Sequence, residues 1–122
     1  MSEVSEKEKD LKILQEEIAR FRDERDWKKY HDPKNLAMAL AVETAELMEI
    51  FQWVSNTDSF KEALRYRRKV EEEMADILLY LLSLADVLQI NLLDVAFEKL
   101  KKNKEKYPVA KCKGSYRKYT DL

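Results

Sequence analysis

Residues 33–54, PKNLAMALAVETAELMEIFQWV, and residues 71–90, EEEMADILLYLLSLADVLQI, decide how this chain folds. In the first stretch Leu36, Leu40, Leu47, Ile50 and Val54 recur at a helical, heptad-like spacing, so one face is apolar and the other polar. Asp32-Pro33 marks its start, with Asp as N-cap and Pro at the first helical position. The second stretch is apolar nearly all the way round from Ile77 to Leu88. A helix of that kind has to be covered on several sides.

Working outward, Ser5 with Glu8 reads as a capping box that opens a first helix, with Leu11, Leu14, Ile18 and Phe21 on one stripe. Ser55-Asn56-Thr57-Asp58 breaks the second helix near Val54. Ser59 with Glu62 then predicts a third helix running to about Leu88. Asn91 with Asp94 opens a fourth, which ends before Tyr107-Pro108 because Pro disfavours helix at the preceding residue. Residues 109–122 show no helical period and are expected to be an irregular tail. No strand alternation, internal repeat or linker is visible. The expectation is a single all-α domain over 1–122, a four-helix-type bundle. Three partner helices do not suffice to cover 77–90, so assembly as a homo-oligomer, dimer or tetramer, is expected too.

The composition agrees: 39% charged residues, one Gly and two Pro in 122 residues favour long helices over loops. The formal charge is −1, but residues 99–118 carry nine Lys/Arg against Glu105 alone, which leaves −9 on the remainder. That basic segment either meets phosphate or is a solvated tail. One cysteine, Cys112, excludes an intrachain disulfide, and the polar N-terminus lacks an apolar leader segment. The apolar run 77–90 is too short and too interrupted to span a bilayer. A cytoplasmic protein without a membrane is expected. A nucleic-acid partner is disfavoured by the acidic body.

Acids interrupt the apolar pattern at two places. Glu43 occupies the missing member of the second helix's stripe, and Glu46 lies one turn further along. Glu73 and Asp76, also three apart, open the buried run of the third helix. Four carboxylates at a core edge repel by about 4 kcal/mol per pair at 4 Å and an effective dielectric near 20. Either some stay protonated or a cation binds. Oxygen-only ligation suits Mg²⁺ or Mn²⁺. Di-iron chemistry lacks its Glu-x-x-His motif, since His31 is the only histidine and Lys28 stands three residues before it. Zinc lacks Cys and His ligands, and Cys112 has no neighbouring base.

E-x-x-E at 43–46, 26 intervening residues and E-x-x-D at 73–76 are similar to the signature of the MazG-like all-α NTP pyrophosphatases. Residues 24–53 (ERDWKKYHDPKNLAMALAVETAELMEIFQW), 71–85 (EEEMADILLYLLSLA), 106–108 (KYP) and 117–122 (RKYTDL) resemble the dCTP pyrophosphatase branch. The resemblance implies a homo-oligomeric, Mg²⁺-dependent pyrophosphohydrolase that splits a nucleoside triphosphate between its α- and β-phosphates, preferring dCTP and 5-modified dCTP. It implies that Glu43, Glu46, Glu73 and Asp76 ligate the metal. It also implies that Trp27 and Trp53 enclose the base and that His31 and Tyr80 contact the substrate. Ile18 departs from the histidine that animal members carry there, and the 54–60 connection is shorter than theirs.

The mechanism implied is in-line attack of water on phosphorus, with Glu46 orienting the water. Two other classes stand beside it. One is a non-catalytic regulator binding nucleotide or metal; the other is a helical scaffold using the basic 99–118 segment.

Overall fold

The computed structural model describes residues 9–114, and among them every regular element is helical. The Ser5–Glu8 capping box and the tail residues Arg117, Lys118 and Tyr119 lie outside the described residues. In chain order the elements are α1 (Leu11–Glu24), a 3₁₀ turn (Lys28–Tyr30), α2 (Pro33–Phe51), α3 (Ser59–Arg65), α4 (Arg67–Val87), α5 (Leu92–Lys106) and α6 (Val109–Cys112).

Sequence and structure differ at four boundaries. Helix α1 begins at Leu11 rather than at Ser5, because the Asp10 carboxylate accepts the Ile13 N–H at 2.8 Å and caps it there. Ser59 and Glu62 do not form a capping box. Ser59 is already helical, and its hydroxyl turns back to donate to the Asn56 carbonyl at 2.6 Å. The expected third helix is two helices, divided at Tyr66 (φ −111°, ψ 33°), although no Gly or Pro marks the break. Residues 109–112, expected to be irregular, form a single turn of helix after the extended Pro108. One turn is shorter than any readable period.

Other expectations hold. Asp32 caps α2 by accepting the Asn35 N–H at 2.8 Å, with Pro33 in the first helical position. Asn91 caps α5 by accepting the Asp94 N–H at 3.1 Å, and α5 stops at Lys106.

The described residues fall into two compact units, one ending at Ile90 and one starting at Asn91. In the first, α2 packs chiefly on α4, and α1 packs on α4 as well. Its centre is Leu82, fully buried, with Leu36 and Ala85 beside it in the core. The second carries α5 and α6. No single helix among the described residues is long and apolar enough to cross a membrane.

Both α1 and α4 end in the same local device. After α1, Asp26 takes a left-handed conformation (φ 54°) while Trp27 N–H donates to the Arg22 carbonyl at 3.0 Å and Asp26 N–H to that of Asp23 at 3.1 Å. After α4, Gln89 is left-handed (φ 55°), Ile90 N–H donates to Ala85 at 2.8 Å and Gln89 N–H to Asp86 at 3.1 Å. This is the Schellman arrangement, which normally places Gly at the left-handed position. Gln there carries a steric cost of about 1–2 kcal/mol that Gly avoids, partly offset by Gly's greater freedom when unfolded. Gln89→Gly should therefore stabilise the fold by roughly 0.5–1 kcal/mol. Urea unfolding reads this as a raised midpoint at unchanged slope, and a lowered midpoint would contradict it.

Candidate metal centre and adjoining cavity

Helices α2 and α4 bring the acids together. Each pair is three residues apart on its own helix, and the packing of α2 on α4 turns both pairs inward. Ligand oxygens of Glu43, Glu73 and Asp76 lie within 4.8 Å of one another. Two oxygens sharing one Mg²⁺ at 2.0–2.1 Å stand at most about 4.2 Å apart, so the cluster has to tighten by only about 0.6 Å to reach ligating distance. Glu46 lies outside that tight group but close to it, since its charge raises the Glu43 pKa and it helps to lower that of Glu73.

Glu73 is buried, at 6% exposure, and Glu43 is half-buried. Among the described residues the only donor to either from outside the acid group is Lys69, whose Nζ reaches Glu73 Oε1 at 3.2 Å. Glu43 Oε2 and Glu73 Oε2 are buried with no partner. Two ionised carboxylates can only accept, so each needs a proton or a cation. In the metal-free protein a proton fills the gap. Glu43 is pushed up to about 7, first by sharing a hydrogen bond with Glu73, then by burial, then by the charges of Glu46, Glu73 and Asp76. Glu73 moves down, chiefly through the same bond from Glu43, with Lys69 adding to the shift. The donor set is all oxygen, two of its atoms are orphaned, and its span is short; it fits a hard divalent cation.

Next to the cluster lies a cavity of about 490 Å³ between α1, the 3₁₀ turn and α4. Trp27, His31, Tyr80 and Asp76 all line it. Trp27 is set in place by the left-handed turn at Asp26 and packs edge-on against Phe21, with ring centroids 5.7 Å apart. His31 ends the 3₁₀ turn, and its Nδ1 is buried with no partner. Burial first, and then the charge of Arg22, lower its pKa and keep the imidazole neutral near pH 7. Ile18 also lines the cavity. Of the residues singled out in the sequence, Trp53 alone stands apart: it follows α2, is 88% exposed, and does not line this cavity. Arg22 is a cavity residue that sequence reasoning missed. It is 6% exposed and bonded to Asp86 Oδ2 at 2.8 Å and Asp23 Oδ1 at 3.0 Å. Only the spacing of an arginine beside the apolar stripe of α1 could have flagged it.

Proton linkage gives the cluster a measurable signature. Because the folded pKa of Glu43 (about 7) exceeds the ordinary 4.5, its stabilising contribution is complete below pH 4.5 and is lost as pH rises through about 7. Glu73 has the opposite sign, and its contribution is lost only as pH falls below 4.5 through its folded pKa. In chelator, stability should fall from pH 4.5 to about 7, and Glu43→Gln should flatten that slope. Thermal melts at stepped pH measure it; an identical slope in the variant would show that another group titrates.

The MazG-like family model matches residues 38–122, which contain all four acids. The chain is 42% identical over 106 residues to dCTP pyrophosphatase 1 of Mus musculus, covering 85% of this chain and 62% of that protein. It is 38% identical over 106 residues to the Homo sapiens dCTP pyrophosphatase 1, with the same shares. The chain thus spans about three-fifths of the length of the curated relatives it matches. A solved pyrophosphatase from Archaeoglobus fulgidus superposes with a TM-score of 0.77 at 43% identity, covering 88% of this chain and 98% of that one. With the four acids inside the matched segment, this chain belongs to the MazG-like family.

Proposed function

We propose that this chain is a Mg²⁺-dependent nucleoside triphosphate pyrophosphohydrolase, acting on dCTP or 5-modified dCTP and releasing the monophosphate and pyrophosphate in nucleotide-pool cleansing. One observation carries the reading: Asp76 belongs both to the acid cluster and to the wall of the cavity. A ligand filling the cavity with an apolar ring therefore brings its other end to the acids. A nucleoside triphosphate has that shape, a flat base at one end and a polyanion at the other. The relatives named dCTP pyrophosphatase 1 supply the base, and the A. fulgidus pyrophosphatase supports the reaction class.

In this reading Glu43, Glu46, Glu73 and Asp76 hold the cation. Bound there, Mg²⁺, or Mn²⁺ in its place, would neutralise triphosphate charge and acidify water. Trp27 offers a stacking face, worth about 1–3 kcal/mol per base. Tyr80 and His31 offer polar contacts along the same wall. Glu46, beside the tight group rather than in it, orients the attacking water. Trp53 is too exposed to serve its own chain's cavity; we assign it to the cavity of a neighbouring subunit. Exposed Met38, Val42, Met48, Met74 and Leu64 support that homo-oligomeric state, because one copy leaves them in water. The cytoplasm is assigned as the compartment, in keeping with the free Cys112 thiol. A helical scaffold would have no use for buried acids without donors.

Incubation with each dNTP and Mg²⁺, with monophosphate and pyrophosphate quantified, tests the proposal. Turnover should be highest with dCTP and fall by at least about a hundredfold in Glu43→Gln. Nucleotide binding without pyrophosphate release would favour the regulator instead. Light scattering should give a mass above that of one chain, and Trp53→Ala should raise KM for dCTP while leaving that mass unchanged.

A further inference from the structure

A buried arginine at the cavity wall has spare donors. Arg22 is the one buried residue of α1, and a guanidinium is expensive to bury unless it is paired. It is paired twice, through Nε to Asp23 at 3.0 Å and through Nη1 to Asp86 at 2.8 Å. Those bonds lock its orientation, joining α1 to α4. Of the five N–H donors of a guanidinium, they use two. Arg22 lines the cavity together with His31, and its charge is felt at the imidazole.

We propose that Arg22 is a specificity-determining residue, selecting cytosine by donating from the cavity wall to the adjacent O2 and N3 acceptors of the ring. This rests on reading the cavity as the base site. Paired, fixed guanidinium donors match two neighbouring acceptors. Cytosine offers them. Uracil and thymine carry a hydrogen on N3, which points a donor at a donor. Burial of Arg22 sharpens the discrimination, since a guanidinium donor left unmet there costs more than one in open water. The tether to Asp86 keeps the fork from rotating to accept the wrong ring.

The test measures dCMP and dUMP affinity by calorimetry without added metal, which keeps it independent of pyrophosphate release. Wild type should bind dCMP more tightly. In Arg22→Met the dCMP:dUMP ratio should fall by about tenfold. Arg22→Lys keeps the charge and a bond to Asp86 but loses the fork, so it should fold as wild type and still lose several-fold of the ratio. Asp86→Asn, which loosens the tether while leaving the arginine, should lower the ratio too, by less than Arg22→Met does. Equal affinity for the two nucleotides in wild type overturns the proposal. So does an unchanged ratio in Arg22→Lys, whether or not Arg22→Met folds. Failed hydrolysis with an intact ratio would sink the enzymatic reading and leave this one standing.

Discussion

Like charges forced together by the packing of α2 on α4 are the constraint from which the rest of the site follows. A core edge normally admits a carboxylate only with a partner, and here Glu43, Glu73 and Asp76 converge within 4.8 Å with Lys69 as the nearest recorded cation. Lys69 answers Glu73 Oε1 only. The inner oxygens of Glu43 and Glu73 remain without donors, so the metal-free protein retains a proton near neutral pH. Such a site is poised to exchange that proton for a cation, which makes cation binding pH-dependent by construction.

The cavity depends on a second constraint, the way α1 ends. A left-handed Asp26 sends the chain back sharply enough for Trp27 to bond the Arg22 carbonyl and pack on Phe21. The 3₁₀ turn that follows delivers His31 before Asp32 caps α2. Backbone strain at one residue thus fixes two cavity residues, and the same carbonyl belongs to the arginine in the cavity wall. The chain's single glycine, Gly114, takes one left-handed position at φ 79°, so those that end α1 and α4 fall to Asp26 and Gln89, residues that tolerate them at a cost.

Much of this was legible in the sequence, and the reasons for the rest are specific. Glu43 was visible because it interrupts an apolar stripe, and Glu73 with Asp76 because they border a helix that has to be buried. Asp32-Pro33 and Asn91 announced their caps, since side-chain oxygen at an N-cap is a local effect. The break at Tyr66 left no trace, because a shift in one pair of dihedrals can occur without Gly or Pro. Ser59 misled for a related reason: its hydroxyl had two backbone partners within reach, and it took the Asn56 carbonyl. The place of Trp53 was unreadable, since an aromatic that ends a helix looks the same whether it packs inward or stays exposed. Arg22 was missed because its partner, Asp86, is 64 residues away.

Contrast between the two buried charge groups separates support from function. Arg22 is compensated within the chain by carboxylates at 2.8 and 3.0 Å, so its burial costs the fold little. The Glu43–Glu73 pair has no such compensation: the chain supplies one lysine on the outer side and nothing between the inner oxygens. Arg22 lines the cavity and the acid pair adjoins it through Asp76, and they leave opposite kinds of valence open. At one end there are acceptors that need a cation; at the other there are donors that need an acceptor-rich ring. The proposed nucleoside triphosphate would complete both, its phosphates drawing a divalent ion and its base supplying the flat heterocycle. Asp76, shared by cluster and cavity, is where those two parts would join.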